Sequence, residues 1–150
     1  YSGIGYRYWL RGLGSREDIM PMSEEYSWYY VPVGIRIAWK VSRKIELSLD
    51  NTLKLMFKGN IKVNLSEGDP YYNDPSASLG SRTGWRIMPG VNFEVYPKLH
   101  LLIGPWYEYS AIQQSPVFAI TYAGKLWGYG YEPSSRTHQF GLDIYLGRRF

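Results

Sequence analysis

Apolar and polar side chains alternate with a period of two along most of the chain. The clearest run covers 29–41, where every odd position is apolar. Successive side chains of a β-strand point to opposite faces, so this pattern predicts a strand with one apolar and one polar face. The same alternation continues through 45–65, 82–95, 99–110 and 140–150, and through the first residues at 4–11. The sequence therefore predicts six strands, each keeping its apolar side chains on one face.

Short and long connections alternate between these strands. The stretches 41–44 and 96–98 are tight turns, whereas 12–27, 66–81 and 112–137 are long and contain Gly, Pro, Ser and Asn. Short turns at one end and long loops at the other are typical of an antiparallel up-and-down transmembrane β-barrel. We expect one all-β domain spanning residues 1–150.

The number of strands has two interpretations. A single-chain bacterial barrel has at least about eight strands, and six fall short of that. An extra hairpin formed by 117–122 and 126–131 would give about eight strands within the 150 residues. Alternatively, the chain is the C-terminal part of a larger barrel. The pattern leans towards eight strands.

Composition narrows the class of protein. Aromatic residues make up 17% of the chain and glycine contributes 16 residues, which suits strands and aromatic belts better than helices. The absence of cysteine excludes a disulfide scaffold, a zinc–thiolate site and a thiol nucleophile. A net charge of +4 is too small to indicate nucleic acid as a partner. No cofactor-binding motif is present, and the spacing of the loop acids predicts no metal site.

Alternation alone also fits a soluble lipocalin-like ligand carrier, whose apolar face points inward. Two features favour the membrane alternative. The polar face mixes many glycines with charges of both signs, as the crowded interior of a narrow barrel would. In addition, aromatic residues gather near the loop-side ends of the strands, as an interfacial belt would.

The last predicted strand ends on Phe150. This segment resembles the C-terminal targeting strand of bacterial outer-membrane β-barrel proteins, although Arg148 stands where that pattern usually has an aromatic or apolar residue. The run 131–137 resembles the segment before the last strand in several poorly characterised proteins of this class. The resemblance implies a place in the outer membrane of a Gram-negative bacterium, among lipid and lipopolysaccharide. It also implies that Phe150 is an assembly signal for the barrel-assembly machinery.

If the apolar face points outward, the barrel interior carries charges of both signs. We expect an ion-pair network that fills the interior, formed by Arg7, Arg36, Glu46, Asp50, Lys54, Arg86, Glu94, Glu108 and Asp143. The alternative is a porin-like path for small anionic solutes, which requires a wider barrel than eight strands provide.

The long loops carry aromatic residues of the kind found on recognition surfaces. They are Tyr71, Tyr72, Trp127, Tyr129 and Tyr131. They predict either contact with an extracellular ligand or an extension of the aromatic belt.

Catalysis has one weak candidate. His138 is predicted at the loop-side start of the final strand, near Ser134 and Ser135 and within reach of Glu108, so a hydrolase remains a lesser alternative. No third group is fixed by the spacing. The sequence thus favours an outer-membrane barrel of structural or surface-interaction type, with no evident catalysis.

Overall fold

A computed structural model describes residues 1–14 and 21–148 of the chain. It contains nine antiparallel strands: β1 (Gly5–Leu13), β2 (Met22–Lys40), β3 (Ile45–Asn64), β4 (Ser76–Ser78), β5 (Thr83–Tyr96), β6 (Leu99–Ile112), β7 (Phe118–Tyr122), β8 (Lys125–Gly130) and β9 (Ser135–Arg148). A single turn of 3-10 helix, Leu65–Glu67, follows β3. No helix in the described ranges is long and apolar enough to cross a bilayer.

The six long strands form one curled sheet in the order β1-β2-β3-β5-β6-β9, with β4 added at the loop end of β3. All six predicted strands are confirmed. Three strands are longer than expected at their loop ends, since β2 begins at Met22, β6 ends at Ile112 and β9 begins at Ser135. The sheet is a half-barrel, and within the described residues no ladder of hydrogen bonds joins β1 to β9.

The additional hairpin predicted around Ala123 and Gly124 does form, as β7 and β8. Both turn residues have positive φ, +48° and +75°, which matches the tight reversal. However, β7 and β8 make a separate two-stranded sheet, so the expectation that they complete an eight-stranded wall is wrong. The hairpin instead lies against the loop after β3, where Asn73 binds it through backbone and side chain.

The two faces of the curled sheet differ as the alternation predicts. Large apolar side chains are exposed on the outside, for example Ile35, which is 62% exposed, and Ile144. Polar side chains on strands that are not neighbours in the sheet meet each other on the inside, as Lys54 of β3 and Glu108 of β6 do at 2.5 Å. The polar face is therefore the concave one.

A β-bulge interrupts this arrangement towards the long-loop end. Tyr29 of β2 lies opposite Lys58, but the next residue, Tyr30, lies opposite Met56, so Phe57 is the additional residue of β3. An extra residue shifts every later side chain of its strand to the other face. The odd positions of β3 consequently face outward before the bulge and inward after it.

This shift corrects the expectation that β3 keeps one apolar face throughout. Leu53, before the bulge, is 40% exposed, whereas Ile61 and Val63, after it, are buried. With Tyr26 and Leu79 they form the core cluster of the described residues, against which Phe118 also packs. The molecule thus has an apolar exterior towards the short turns and an apolar interior at the long-loop end.

The bulge predicts opposite effects for two similar truncations on β3. Replacing Ile61 with alanine should lower the free energy of unfolding by about 2–5 kcal/mol, because it leaves a cavity in a packed core. Replacing Leu53 with alanine should cost much less, since its outward side chain leaves no cavity. Urea titrations of the two variants in the same solvent check this, and equal losses would place both side chains on one face.

Candidate functional site

The concave face holds a group of three charged residues from three strands. Glu108 of β6 is only 2% exposed and lies 2.9 Å from Arg7 of β1 and 2.5 Å from Lys54 of β3. The Lys54 contact is a hydrogen bond, whereas the Arg7 contact is an ion pair without directed hydrogen-bond geometry. Two cations therefore surround one buried carboxylate.

A second group lies closer to the short-turn end. Asp143 of β9 accepts hydrogen bonds from Arg86 at 2.7 Å, from the Trp106 indole at 2.9 Å and from the Tyr145 hydroxyl at 3.1 Å. The Arg86 guanidinium also lies 4.7 Å from the centre of the Trp106 ring, in cation–π geometry. Asp143 and Arg86 are thus held by partners on three strands.

The other four predicted interior residues lie apart from these two groups. Asp50 binds the hydroxyl groups of Tyr1 and Thr52 instead of joining an ion pair, and Arg36, its register partner on β2, is exposed. Glu46 and Glu94 line a cavity near the two short turns. The single predicted network is therefore split along the length of the curled sheet.

Side chains fill the interior around the first group. Tyr30 and Trp28 lie beside Arg7 and Lys54, and the cavity between them measures only about 20 Å³. That is room for about one water molecule. Glycine makes this filling possible, because a Cβ on Gly5 would lie 2.2 Å from the Tyr30 ring. A Cβ on Gly34 would likewise lie 2.2 Å from the Tyr1 ring. The space between these four residues is therefore nearly filled, with two cations and one carboxylate inside it.

Among the acids of the concave face, Glu108 should contribute most to the free energy of unfolding. Replacing it with glutamine leaves Arg7 and Lys54 without their shared carboxylate, so we expect unfolding free energy to fall by about 3 kcal/mol. Glu67, an exposed acid in the 3-10 turn, offers a matched control in which the same change should cost less than about 0.5 kcal/mol. Chemical denaturation measures both, and a Glu108→Gln variant as stable as the parent would contradict the role of the ion pairs.

A third polar cluster lies at the long-loop end and was not predicted. The Tyr26 hydroxyl lies 2.8 Å from a Glu24 oxygen and 2.9 Å from a Glu132 oxygen, and Arg11 pairs with Glu24. Both carboxyl groups are 8% exposed. The hydroxyl is the donor in both contacts, and because it has a single proton, the two carboxyl groups share it.

Glu132 lies in surroundings that disfavour its charged form. Burial raises the pKa of its carboxyl above the usual range, and the charge of Glu24 adds to the rise, whereas the Tyr26 hydroxyl and Arg11 act in the opposite direction. The Tyr26 hydroxyl is the donor towards both carboxyl groups. Because Glu132 precedes β9, this chain of hydrogen bonds fastens the long loop 113–134 to β2.

The raised pKa of Glu132 gives stability a defined pH dependence. In the interval between the ordinary and the raised pKa, the folded chain binds more protons than the unfolded one, so this contribution falls as pH rises. A Glu132→Gln variant has no carboxyl group to titrate at this position and should lose less stability than the parent as the pH rises above the ordinary carboxyl pKa of about 4. Urea midpoints of the two proteins at a series of pH values test this, and parallel curves would contradict the raised pKa of Glu132.

The predicted loop aromatics divide into two sets. Tyr72 contacts Trp127 with ring centres 5.6 Å apart, and Tyr71 and Tyr72 both contact Tyr122 of β7, which the sequence did not single out. Trp127 is nevertheless 65% exposed. Tyr129 and Tyr131 are also exposed and make none of these ring contacts. The loop after β3 and the β7–β8 hairpin therefore present one aromatic surface.

His138 does not lie on the same face of the sheet as Glu108. It lies on the outer face of β9, where Nδ1 is 2.7 Å from the Tyr107 hydroxyl and the ring contacts Tyr109. Glu108 points to the opposite face, because neighbouring residues of β6 alternate, and so it cannot orient His138. The expected partnership is wrong, and His138 belongs to a row of outward-facing rings.

The remaining predicted position is Phe150, the proposed assembly signal, which lies outside the described residues. Within the described ranges, no group of three or more His, Asp or Glu side chains is arranged to hold a metal ion. The chain matches no protein-family model, and a search of curated proteins gives no significant match.

Proposed function

We propose that this chain forms the wall of a bacterial outer-membrane β-barrel of the surface-interaction type, with its loops as the contact surface. The observation that carries the proposal is the apolar band on the outside of the curled sheet. On β2 alone, the exposed apolar residues include Val33, Ile35, Ile37 and Trp39. Contiguous apolar surface of this extent is typical of lipid or protein interfaces rather than of surfaces facing water.

Aromatic rings border this band towards the long loops. Tyr6, Tyr29 and Phe57 follow one another across β1, β2 and β3, with ring centres 4.9 Å and 6.3 Å apart. Trp85 and Tyr107 continue the row on β5 and β6 at 6.0 Å. Tyrosine and tryptophan are enriched where a bilayer meets water.

The height of the band supports the same proposal. Trp39 lies near the short turns, ten residues along β2 from Tyr29. A strand rises about 3.3 Å per residue, and a tilt of about 45° reduces that length to roughly 23 Å. Transmembrane strands have about 9–11 residues and an apolar band about 25 Å tall.

The exterior changes character beyond the aromatic row. After the bulge, β3 turns Asn60 outward and Ile61 inward, so at this end the strand contributes to an apolar core and has a polar outer face. A polar outer face is favourable in contact with water. The exposed loop aromatics, including Trp127 and Tyr129, lie at this end and form the surface that we propose contacts an extracellular ligand.

A pore for small anionic solutes is the second candidate, and the open edges of the sheet favour it. β1 and β9 are the two ends of the strand order, so further strands can pair with either one. A barrel widened in this way would have a larger interior than the packed half-barrel. In either case we propose that assembly in the membrane uses the C-terminal strand and the barrel-assembly machinery.

An outward charge in the middle of the band tests the membrane proposal. Ile35→Arg should destabilise the chain folded in lipid by about 2–4 kcal/mol, because a cation at the midplane leaves water. Asn60→Arg, outward on the far side of the aromatic row, is the matched control and should cost less than about 1 kcal/mol. Refolding from urea into phospholipid vesicles, followed by gel mobility with and without boiling, measures both.

The same experiment distinguishes a membrane barrel from a soluble one. A chain that folds as a monomer in plain buffer, and that tolerates Ile35→Arg as well as Asn60→Arg, would overturn the proposal. A chain that folds in neither solvent without additional strands would favour the larger barrel of the second candidate.

A further inference from the structure

The short-turn end of the barrel contains a cavity whose lining is dominated by cations. Its volume is about 260 Å³, and we call it the short-turn pocket. Lys40 contributes from the end of β2, Arg43 and Lys44 from the turn between β2 and β3, and Lys98 from the turn between β5 and β6. Two separate turns thus direct positive charge into one space.

The turns that carry these cations have a defined backbone. Val41 and Ser42 donate their N–H groups to the Ile45 carbonyl, and the Lys44 carbonyl accepts a hydrogen bond from the N–H of Glu94. Lys98 has a φ of +66°, the left-handed conformation that closes a tight turn. The cations therefore stand on a preorganised frame, which lowers the cost of binding an anion.

The acids in the pocket do not balance the cations. Two carboxylates, Glu46 and Glu94, face four lysine and arginine side chains, so the lining carries a net charge of about +2 at neutral pH. Glu94 accepts the N–H of Lys98, and Glu46 has a contact of its own. Between residues 1–14 and 21–148, none of the four cations forms a salt bridge.

One wall residue adds a neutral polar group to this lining. Asn92 lines the pocket, and its side-chain oxygen is buried without a hydrogen-bond partner among the described residues. An amide oxygen accepts hydrogen bonds, so it can take one from a protonated phosphate oxygen, and the NH₂ group of the same amide can donate to an unprotonated one.

We propose that the short-turn pocket binds a phosphate-type anion. Lysine and arginine with a neutral amide donor provide the charge and hydrogen bonds that a phosphate requires. The volume accommodates a small head group and is below the range of about 300–1,000 Å³ typical for drug-sized ligands. Free phosphate esters and lipid head groups share this chemistry. The site does not depend on whether the apolar band lies in lipid.

Titration calorimetry on the folded chain in a non-ionic detergent tests this proposal with two probes, inorganic phosphate and dihexanoyl phosphatidic acid. We expect saturable binding that weakens as sodium chloride is added, because salt screens exposed charges. Binding of both probes indicates that phosphate alone suffices. Binding of the lipid alone identifies a head group as the source. Binding of neither probe would overturn the proposal.

Variants locate the binding to the pocket. Lys44→Gln combined with Lys98→Gln should weaken affinity about tenfold, since two partly exposed charge contacts are lost. Lys125→Gln, in the β7–β8 turn at the other end, is the matched control and should leave affinity unchanged. Asn92→Asp keeps the side-chain size and adds a repelling charge, so it should also weaken binding. Equal affinity in all four proteins would refute the assignment.

Discussion

The β-bulge at Phe57 is the constraint on which the rest of the molecule depends. A strand has only two faces, and one additional residue exchanges them. Before the bulge, the curled sheet turns apolar side chains outward and must fill its interior with polar ones. After it, Ile61 and Val63 turn inward and build a core that the neighbouring loops can cover. One residue therefore gives β3 two parts with opposite arrangements of polarity.

The buried polar groups of the two parts have different kinds of partner. In the first part, Glu108 and Asp143 are surrounded by cations and ring N–H groups that come from distant strands. In the second part, Glu132 and Glu24 share the Tyr26 hydroxyl as a hydrogen-bond donor, and Arg11 pairs with Glu24. The first solution holds strands together across the concave face, and the second attaches a loop to the sheet. Both follow from the cost of leaving a buried charge without a partner.

Period-two alternation was enough to predict the six long strands, the two short turns and the extra hairpin, because these depend on neighbours in sequence. It also assigned Arg7, Lys54, Glu108 and Asp143 to the concave face. The alternation carries no sign of the bulge, because the apolar residues on both sides of it are odd-numbered, namely Leu53, Leu55, Ile61 and Val63. The pattern therefore continues while the face changes. Glu132 and Tyr26 are 106 residues apart, and no local pattern indicates such a contact. The sequence predicted His138 within reach of Glu108, but nearness along a sheet does not determine which face each side chain takes.

The hydrogen bonds of Asn73 have a mechanical consequence. Its backbone N–H and side chain bind Ala119 and Thr121 of β7, so the loop after β3 and the hairpin are joined at several points. A force applied to the exposed ring of Trp127 is then shared with the segment that leads directly into β3. The loop and the hairpin are thereby coupled, and a load on either one is passed to the curled sheet.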